Sequence, residues 1–503
     1  SGKDDDAKRE FAAAVKSFEG AAAEGHSDAE VCEGLAEAWV RQIEMASQRE
    51  LPTDEAYAAA VAASEKITVA EPGSVSGPLK KAYSAMFTLD VIAYGPSANE
   101  RVQQCLFAAQ DVLARQPGHP YATDLLSTCY LFSAKVARQD GKDPSGFLRN
   151  AQHFLEPVIE KYPHFLWGIS DMGIVAIEIG RQQQINGSLE SRKTFQNALK
   201  FFKQSSILDR SFSNAVLNSM TVSSLLVNES RSDDELQDVL DDADRYFAAC
   251  NSIKDRDQRC FSNYFQVYAV AAYRTFLGGR DPQPRLQRAL QHLAVTRQLG
   301  GKMQESEQYA ALAYLVQARD LLLKKLSPSG ALALLDKALL DCFSLAPDDV
   351  FCRNLSTQAL WLRADWLGNQ HQETAVLLAD ALRKAQSLCQ NTELNPDNWQ
   401  VLAETHYRLA KGTVITKERA RHIANGILAL QKLFSINPSH ALGLITQGQL
   451  LLLRAKSEKV TSQAHQTIKD AAAALEKAFT IDPFVKPTFL PVLESAKAQL
   501  SKL

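Results

Sequence analysis

Hydrophobic residues along this chain recur every three to four positions, in long runs that Ala and Leu dominate. This spacing places the apolar side chains on one face of an α-helix. The β-branched residues do not alternate with polar residues over the length of a strand, so the second regular pattern is missing. The sequence therefore predicts an all-α protein.

Helix-ending residues recur at a regular interval of about 46 residues. Because proline stops a helix, a fixed interval between prolines indicates one small structural unit repeated in tandem. Arg210 stands at one place where a further proline would fall. The prolines of the series are Pro72, Pro117, Pro163, Pro347, Pro396, Pro438 and Pro483.

The residues before these prolines also repeat, at steps of four and then three positions. Such steps place three side chains on one stripe of a helix, and small residues in the stripe let a neighbouring helix come close. Gly448, inside the helical run that precedes one stripe, predicts close helix packing too. The stripes are Ala151, Leu155, Val158; Ala198, Phe202, Ser205; Leu335, Leu339, Cys342; and Ala471, Leu475, Ala478.

These residues resemble the tetratricopeptide repeat (TPR), which has Leu-Gly in its helix A, Ala-x3-Phe-x2-Ala in its helix B, and then Pro. The family repeat has about 34 residues, so each unit here is longer. The added residues extend the helices and the loop between them. That loop has its own pattern, Gly141-Lys142-Asp143-Pro144 and Gly279-Arg280-Asp281-Pro282, in which Gly ends one helix and Asp caps the next.

The resemblance implies an open right-handed α-solenoid, or superhelix, over residues 1–503. We expect ten helical hairpins within 27–481, a leading helix at 4–24 left from a truncated preceding repeat, and a capping helix at 484–501. The leading helix has no preceding helix A and follows Ser1-Gly2, which resembles a cloning remnant, so we expect the chain to be cut from a longer protein. The expected hairpins are 27–70, 76–116, 121–161, 165–208, 212–252, 258–299, 303–345, 348–391, 397–436 and 440–481.

Charge and cysteine content narrow the classes of partner and compartment. The 55 Lys and Arg residues against 58 Asp and Glu residues give a net charge of −3, which argues against a nucleic-acid or membrane-surface binder. No apolar run is long enough to span a membrane. Eight cysteines without close pairing suggest reduced thiols and a cytoplasmic protein.

Two cysteine pairs share one spacing. Cys250 and Cys260 are ten residues apart, as are Cys342 and Cys352, and each pair joins the helix B of one unit to the helix A of the next. They are interpreted either as redox staples or as small apolar residues in a tight helix seam, and packing is the favoured interpretation.

The sequence predicts no catalytic, cofactor-binding or metal-binding residues. It contains no phosphate loop, no nucleophile elbow and no kinase catalytic segments. A helical toroid hydrolase, the enzymatic alternative, needs paired acids on its inner helices. The acids of this chain are expected mainly on helix B or in loops.

An acidic run in residues 232–244 and a basic stretch in residues 280–302 predict opposite patches on adjoining repeats. They are either a solvated outer face or a docking surface.

A solenoid of this kind offers a concave groove, lined mainly by helix A, that binds a protein or peptide. Polar residues of the A runs are the candidates for partner binding: Asn214, Asn218, Asn263, Arg353, Asn354 and Arg363. The alternative is that these are ordinary solvated positions.

The long repeat also resembles the C-terminal TPR regions of bacterial serine/threonine protein kinases. That resemblance implies a docking or regulatory arm for such a kinase, with a possible intramolecular contact to an N-terminal domain. The other hypothesis is a free-standing scaffold subunit of an assembly.

Overall fold

The computed structural model describes residues 2–23, 28–47, 51–89, 96–253, 257–370, 372–458 and 460–501. These residues form 22 α-helices and one short 3-10 helix, and no strand occurs among them. The prediction of an all-α solenoid fold is confirmed. Ser1, and positions 24 and 27 that bound predicted elements, lie outside the described residues.

The chain folds into two compact units, Ser1–Ile179 (unit 1) and Gly180–Leu503 (unit 2). The single superhelix over 1–503 therefore stays a prediction. Unit 1 contains α1 (Gly2–Ala23), α2 (Ala29–Ser47), α3 (Asp54–Ala70), α4 (Ser76–Leu89), α5 (Pro96–Arg115), α6 (Pro120–Gln139), α7 (Ser145–Lys161) and most of α8 (Leu166–Ile185).

Unit 2 contains the end of α8 and all later helices. They are α9 (Ser191–Leu208), α10 (Ser213–Asn228), α11 (Asp233–Ile253), α12 (Gln258–Leu277), α13 (Gln283–Gly300), α14 (Gln304–Leu323), α15 (Ser329–Leu345), α16 (Val350–Asn369), α17 (Ala375–Asn391), α18 (Pro396–Gly412), α19 (Thr416–Ile436), α20 (Ala441–Ala455), α21 (Thr461–Ile481) and α22 (Lys486–Leu500). From α2 to α21 the even-numbered helices are the A helices of successive pairs and the odd-numbered ones are the B helices.

The turns inside the pairs follow from their glycine and aspartate residues. Gly141 has a φ of +69°, in the left-handed region that favours glycine. The N–H of Lys142 then donates to the carbonyl oxygen of Ala137 at 2.8 Å, which closes α6. Asp143 Oδ1 accepts the N–H of Ser145 at 3.0 Å, so the first turn of α7 is capped.

The stripes predicted from the repeat are buried between helices. Ala471, Leu475 and Ala478 of α21 are fully buried, as are Ala198 and Phe202 of α9. A Cβ atom on Gly448 would lie 2.8 Å from Leu475 Cγ. The small residue is therefore required for α20 and α21 to approach, as its position predicted.

The A helices lie on the inner side of each unit. In most steps of each unit an A helix packs against the next A helix, whereas successive B helices make no comparable contact among the described residues. Elements that approach each other more closely follow the shorter arc of a curved stack. The concave surface is therefore formed by A helices.

Six cysteines form three disulfides, so the expectation of reduced thiols is wrong. Cys250 pairs with Cys260, Cys342 with Cys352, and Cys105 with Cys129. Each bond joins a B helix to the following A helix, where the connection holds the Cα atoms between 5.9 and 6.8 Å apart, a separation that a disulfide spans. The cysteines are also buried between the helices. They therefore both pack in the helix seam and link its two helices covalently.

The end of unit 2 packs back on its own middle. Arg274 of α12 donates from Nη1 to Asp482 Oδ2 at 2.6 Å and from Nη2 to the Ser230 carbonyl at 2.7 Å. Thr488 of α22 donates to the carbonyl oxygen of Leu277 at 2.6 Å. These contacts fix the C-terminal helix to α12 across a sequence separation of about two hundred residues.

None of the helices that the structure describes combines the length and the hydropathy that a membrane span needs.

Candidate functional site

Three of the residues predicted for partner binding, Asn214, Asn218 and Asn263, lie on neighbouring A helices of unit 2. Asn263 of α12 donates from Nδ2 to the Leu217 carbonyl at 3.0 Å and to Thr221 Oγ1 at 3.3 Å. Its amide therefore connects α12 to α10. Asn214 and Asn218 are partly buried on α10.

The other three predicted residues, Arg353, Asn354 and Arg363, lie on α16. Asn354 donates from Nδ2 to Asn398 Oδ1 on the next A helix at 3.2 Å. Arg363 forms an ion pair with Asp336 of α15, and Arg353 forms one with the exposed Asp348 just before its own helix. These contacts hold helices and turns together, and a role of the six residues in partner binding stays a prediction.

A different group of side chains converges on the A helices of unit 1. We call it the acid–aromatic cluster, and it contains carboxyl, hydroxyl and aromatic groups from α4, α6 and α8. Asp124 and Asp171 occupy its centre, where their carboxyl groups are hydrogen-bonded. Its interacting members are Tyr83, Tyr121, Asp124, Thr128 and Asp171. We add Trp167, which lies one helical turn before Asp171 on α8.

Burial and mutual repulsion set the protonation of the two acids. Asp124 is 7% exposed, and this burial, together with the neighbouring charge of Asp171, raises its pKa well above the usual range. A hydrogen bond between two carboxyl groups requires that one of them carries a proton. Thr128 lies 3.1 Å from Asp171 Oδ2 through its hydroxyl oxygen and so contributes a further polar contact.

Aromatic side chains surround the acid pair. Burial raises the pKa of Tyr83, and the charges of Asp124 and Asp171 raise it further. Tyr121 is 44% exposed and packs edge to face on Phe165, with ring centroids 5.1 Å apart. The cluster is therefore an acidic site with aromatic surface open to solvent beside it.

The sequence reasoning missed this cluster, because it placed the acids mainly on helix B or in loops. Asp124 and Asp171 instead lie on A helices, one repeat apart in sequence. An acid recurring at the same place in two adjacent A runs was the available signal. Their direct hydrogen bond puts them closer than the roughly 5–10 Å separation of a glycosidase acid–base pair, so the toroid-hydrolase chemistry does not fit this pair.

A second polar group lies on the A helices of unit 2. Arg408 pairs with Asp365 at 2.5 Å and approaches Glu404 at 3.1 Å. Burial works to lower the pKa of Arg408, but Glu404 and Asp365 outweigh it and leave the pKa raised. Arg319 donates to Gln358 Oε1 at 2.6 Å, and burial lowers its pKa.

The opposite charges predicted on adjoining repeats meet each other. Arg280 pairs with Asp233, and Arg288 Nη2 lies 2.9 Å from Asp244 Oδ2. Ion pairs between the acidic run on α11 and the basic stretch thus neutralise part of the charge of both patches within unit 2.

One group of described side chains has metal-ligand spacing, namely Cys342, Asp349 and Cys352. The two sulfur atoms are joined in a disulfide and are not the thiolates that bind metals. Asp349 Oδ1 accepts the N–H of Cys352 at 2.7 Å. These three residues therefore form the N-terminus of α16, where the disulfide links it to α15 and Asp349 caps it.

No protein-family model and no curated protein matches the chain. Solved structures of similar fold include a tetratricopeptide repeat protein from Parabacteroides merdae, with 10% identity and a TM-score of 0.38 over 65% of this chain and 98% of that chain. A human IFIT1 dimer with m7Gppp-AAAA has 12% identity and a TM-score of 0.47, over 94% of this chain and 90% of that chain. The TPR domain of P58(IPK) has 14% identity and a TM-score of 0.22, over 84% and 98%. This likeness concerns the helical-repeat fold alone.

Proposed function

We propose that this chain is a non-catalytic interaction module whose concave A-helix surfaces bind a partner protein or peptide. The observation that supports the proposal most directly is the acid–aromatic cluster, in which three successive A helices of unit 1 present polar and aromatic groups together. Tyr121 and Trp167 are 44% and 46% exposed there. Exposed aromatic side chains beside polar groups are typical of protein interfaces.

A photo-crosslinking experiment tests where the partner binds. The amino acid p-benzoylphenylalanine replaces Tyr121 on the A helix α6 or, as the matched control, Phe107 on the B helix α5, where 76% of the side chain is exposed. The proposal expects partner adducts from position 121 in cells of the source organism and none above background from position 107. Adducts from position 107 alone would place the interface on the outer surface and reject the groove.

For the parent protein we propose a docking or regulatory region of a bacterial serine/threonine kinase, on the basis of the long repeat and its loop pattern. A free-standing scaffold subunit is the alternative. The coding sequence upstream of residue 1 separates the two, since an in-frame kinase domain supports the first and its absence supports the second. The groove could then contact that domain or a separate protein.

The three disulfides change the proposed compartment. The cytoplasmic location expected from the sequence depended on reduced thiols, and disulfides persist in oxidising compartments. We therefore place this region of the protein outside the reducing cytosol. Fractionation of the source organism tests this, with a cytosolic enzyme and an exported protein as markers. Recovery with the cytosolic marker would refute it.

A further inference from the structure

The acid–aromatic cluster contains one buried and one partly buried carboxyl group, Asp124 and Asp171, and no cation of the described residues pairs with Asp124. Among the residues that the structure describes, Oδ1 of Asp124 has no hydrogen-bond partner, although the side chain is more than nine-tenths buried. Burial and Asp171 both disfavour its charged form, and no cationic side chain of the described residues opposes them. A buried carboxylate is costly unless a cation or hydrogen-bond donors satisfy it. The cluster is therefore incomplete as an ionic site.

Two cations of unit 1 are paired with other acids. Lys80 of α4 pairs with Glu37 of α2. Arg41 of α2 donates to Glu37 at 2.7 Å and to Glu44 at 2.8 Å. Unit 1 thus pairs the acids near its first repeats with its own cations, while Asp124 receives none. No ion pair of the described residues reaches Asp124, so a cation from outside them would find an unpaired acid here.

The surroundings favour an organic cation over a metal ion. Tyr121 precedes Asp124 by three residues on α6, and Trp167 precedes Asp171 by four on α8, so each aromatic shares a helix face with an acid. Aromatic faces attract ammonium and guanidinium groups. Calcium instead takes about six to eight oxygen ligands, more than the two carboxyls and the Thr128 hydroxyl offer.

We infer that the acid–aromatic cluster binds a lysine or arginine side chain of the partner, with its charged head against Asp124 and Asp171 and its stem along Tyr121 and Trp167. The inference rests on the proposed function and adds the chemistry of one partner residue to it. Charge-assisted hydrogen bonds to carboxylates are stronger than neutral ones, so this residue would contribute much of the specificity in unit 1.

Peptide libraries with one fixed residue test the inference on the full chain. The probes are N-acetylated, C-amidated hexapeptide pools in which the fixed position is Lys, Arg, Gln, Glu or Leu. The variants are Asp124→Asn and Asp171→Asn, each of which replaces a carboxyl group by an amide of the same shape. The matched control is Glu305→Gln on the A helix α14 of unit 2, whose carboxylate accepts Gln266 Nε2 at 3.1 Å.

The inference expects the Lys or Arg pools to be retained at least tenfold better than the Gln and Glu pools. Both aspartate variants should lose this preference, and Glu305→Gln should keep it. A preference that survives in both aspartate variants would overturn the inference. Retention without any preference for basic residues would overturn it too but leave the proposed peptide binding standing.

Two further outcomes are distinguishable. If no pool of any composition is retained, peptide binding by the groove fails together with the inference. If calcium chloride alone raises the melting temperature of the wild type and not of Asp124→Asn, the cluster is a metal site and the basic side chain is rejected. Circular dichroism of each variant confirms that the helices are intact, and Asp171→Asn serves if Asp124→Asn does not fold.

Discussion

Breaking the disulfide between Cys250 and Cys260 should destabilise unit 2 by about 2.7 kcal/mol. The bond closes a loop with a sequence separation of 10 residues and so restricts the unfolded chain. The entropy that the cross-link removes from the unfolded chain is about 2.1 + 1.5R ln n in cal/mol/K, where n is the number of residues in the closed loop. For this loop it is about 9 cal/mol/K. The Cys342–Cys352 bond has the same separation and the same expected effect. The separation of 24 for Cys105–Cys129 gives about 3.5 kcal/mol for unit 1.

The assay is a guanidinium titration of the exported, oxidised chain with and without reductant. Reduction leaves the packing atoms in place, so the shift in midpoint reports the cross-links. The double variant Cys250→Ala with Cys260→Ala should lose less stability on reduction than the wild type does. Cys32 and Cys389 are the free, buried thiols, and the variant Cys389→Ala should respond to reductant as the wild type does.

Two results would refute this reasoning. Alkylation of the unfolded chain without reductant should modify Cys32 and Cys389 only, and modification of all the cysteines would show that the pairs do not form. Unchanged midpoints after complete reduction would show that the loop-entropy calculation fails here. In the folded chain, burial raises the pKa of the Cys389 thiol to about 12, so this residue should react only after unfolding.

The remaining predictions concern buried charges. Asp124→Asn should stabilise unit 1 at pH 7, because the raised pKa of Asp124 means that its stabilising, protonated form is lost as the pH rises. In thermal melts, the difference in melting temperature between Asp124→Asn and the wild type should vanish below a pH of about 4. A difference that stays constant with pH would contradict this prediction. Burial lowers the pKa of His406 to about 4, so unit 2 should lose up to about 3 kcal/mol between pH 6.5 and 4 as the unfolded chain takes up the proton. His406→Leu should flatten that part of the pH profile, and an unchanged slope would assign it to other groups. Arg274→Met should leave Asp482 without its partner and cost about 3–5 kcal/mol, with faster hydrogen exchange over residues 482–500 as the local readout; unchanged exchange there would show that the ion pair does not fix the C-terminal helix.

The repeat was predictable from the sequence because its determinants are local. Gly141 permits the left-handed backbone that ends α6, and the stripe of Ala471, Leu475 and Ala478 is set by helix geometry alone. The end of a helix and the position of its buried stripe each depend on residues only a few positions away in sequence. The type of helical unit and its buried face therefore follow from periodicity, without knowledge of the neighbours.

The acid pair and the disulfides were decided by tertiary structure. Asp124 and Asp171 meet because α6 and α8 are neighbours, as the contact of Thr128 with Asp171 shows, and Cys105 reaches Cys129 because α5 and α6 pack side by side. Sequence spacing does not state how far one helix slides or rotates against the next, and a shift of one residue turns a side chain by about 100° around its helix. Lateral contacts between repeats thus needed the three-dimensional packing, whereas the repeat itself did not.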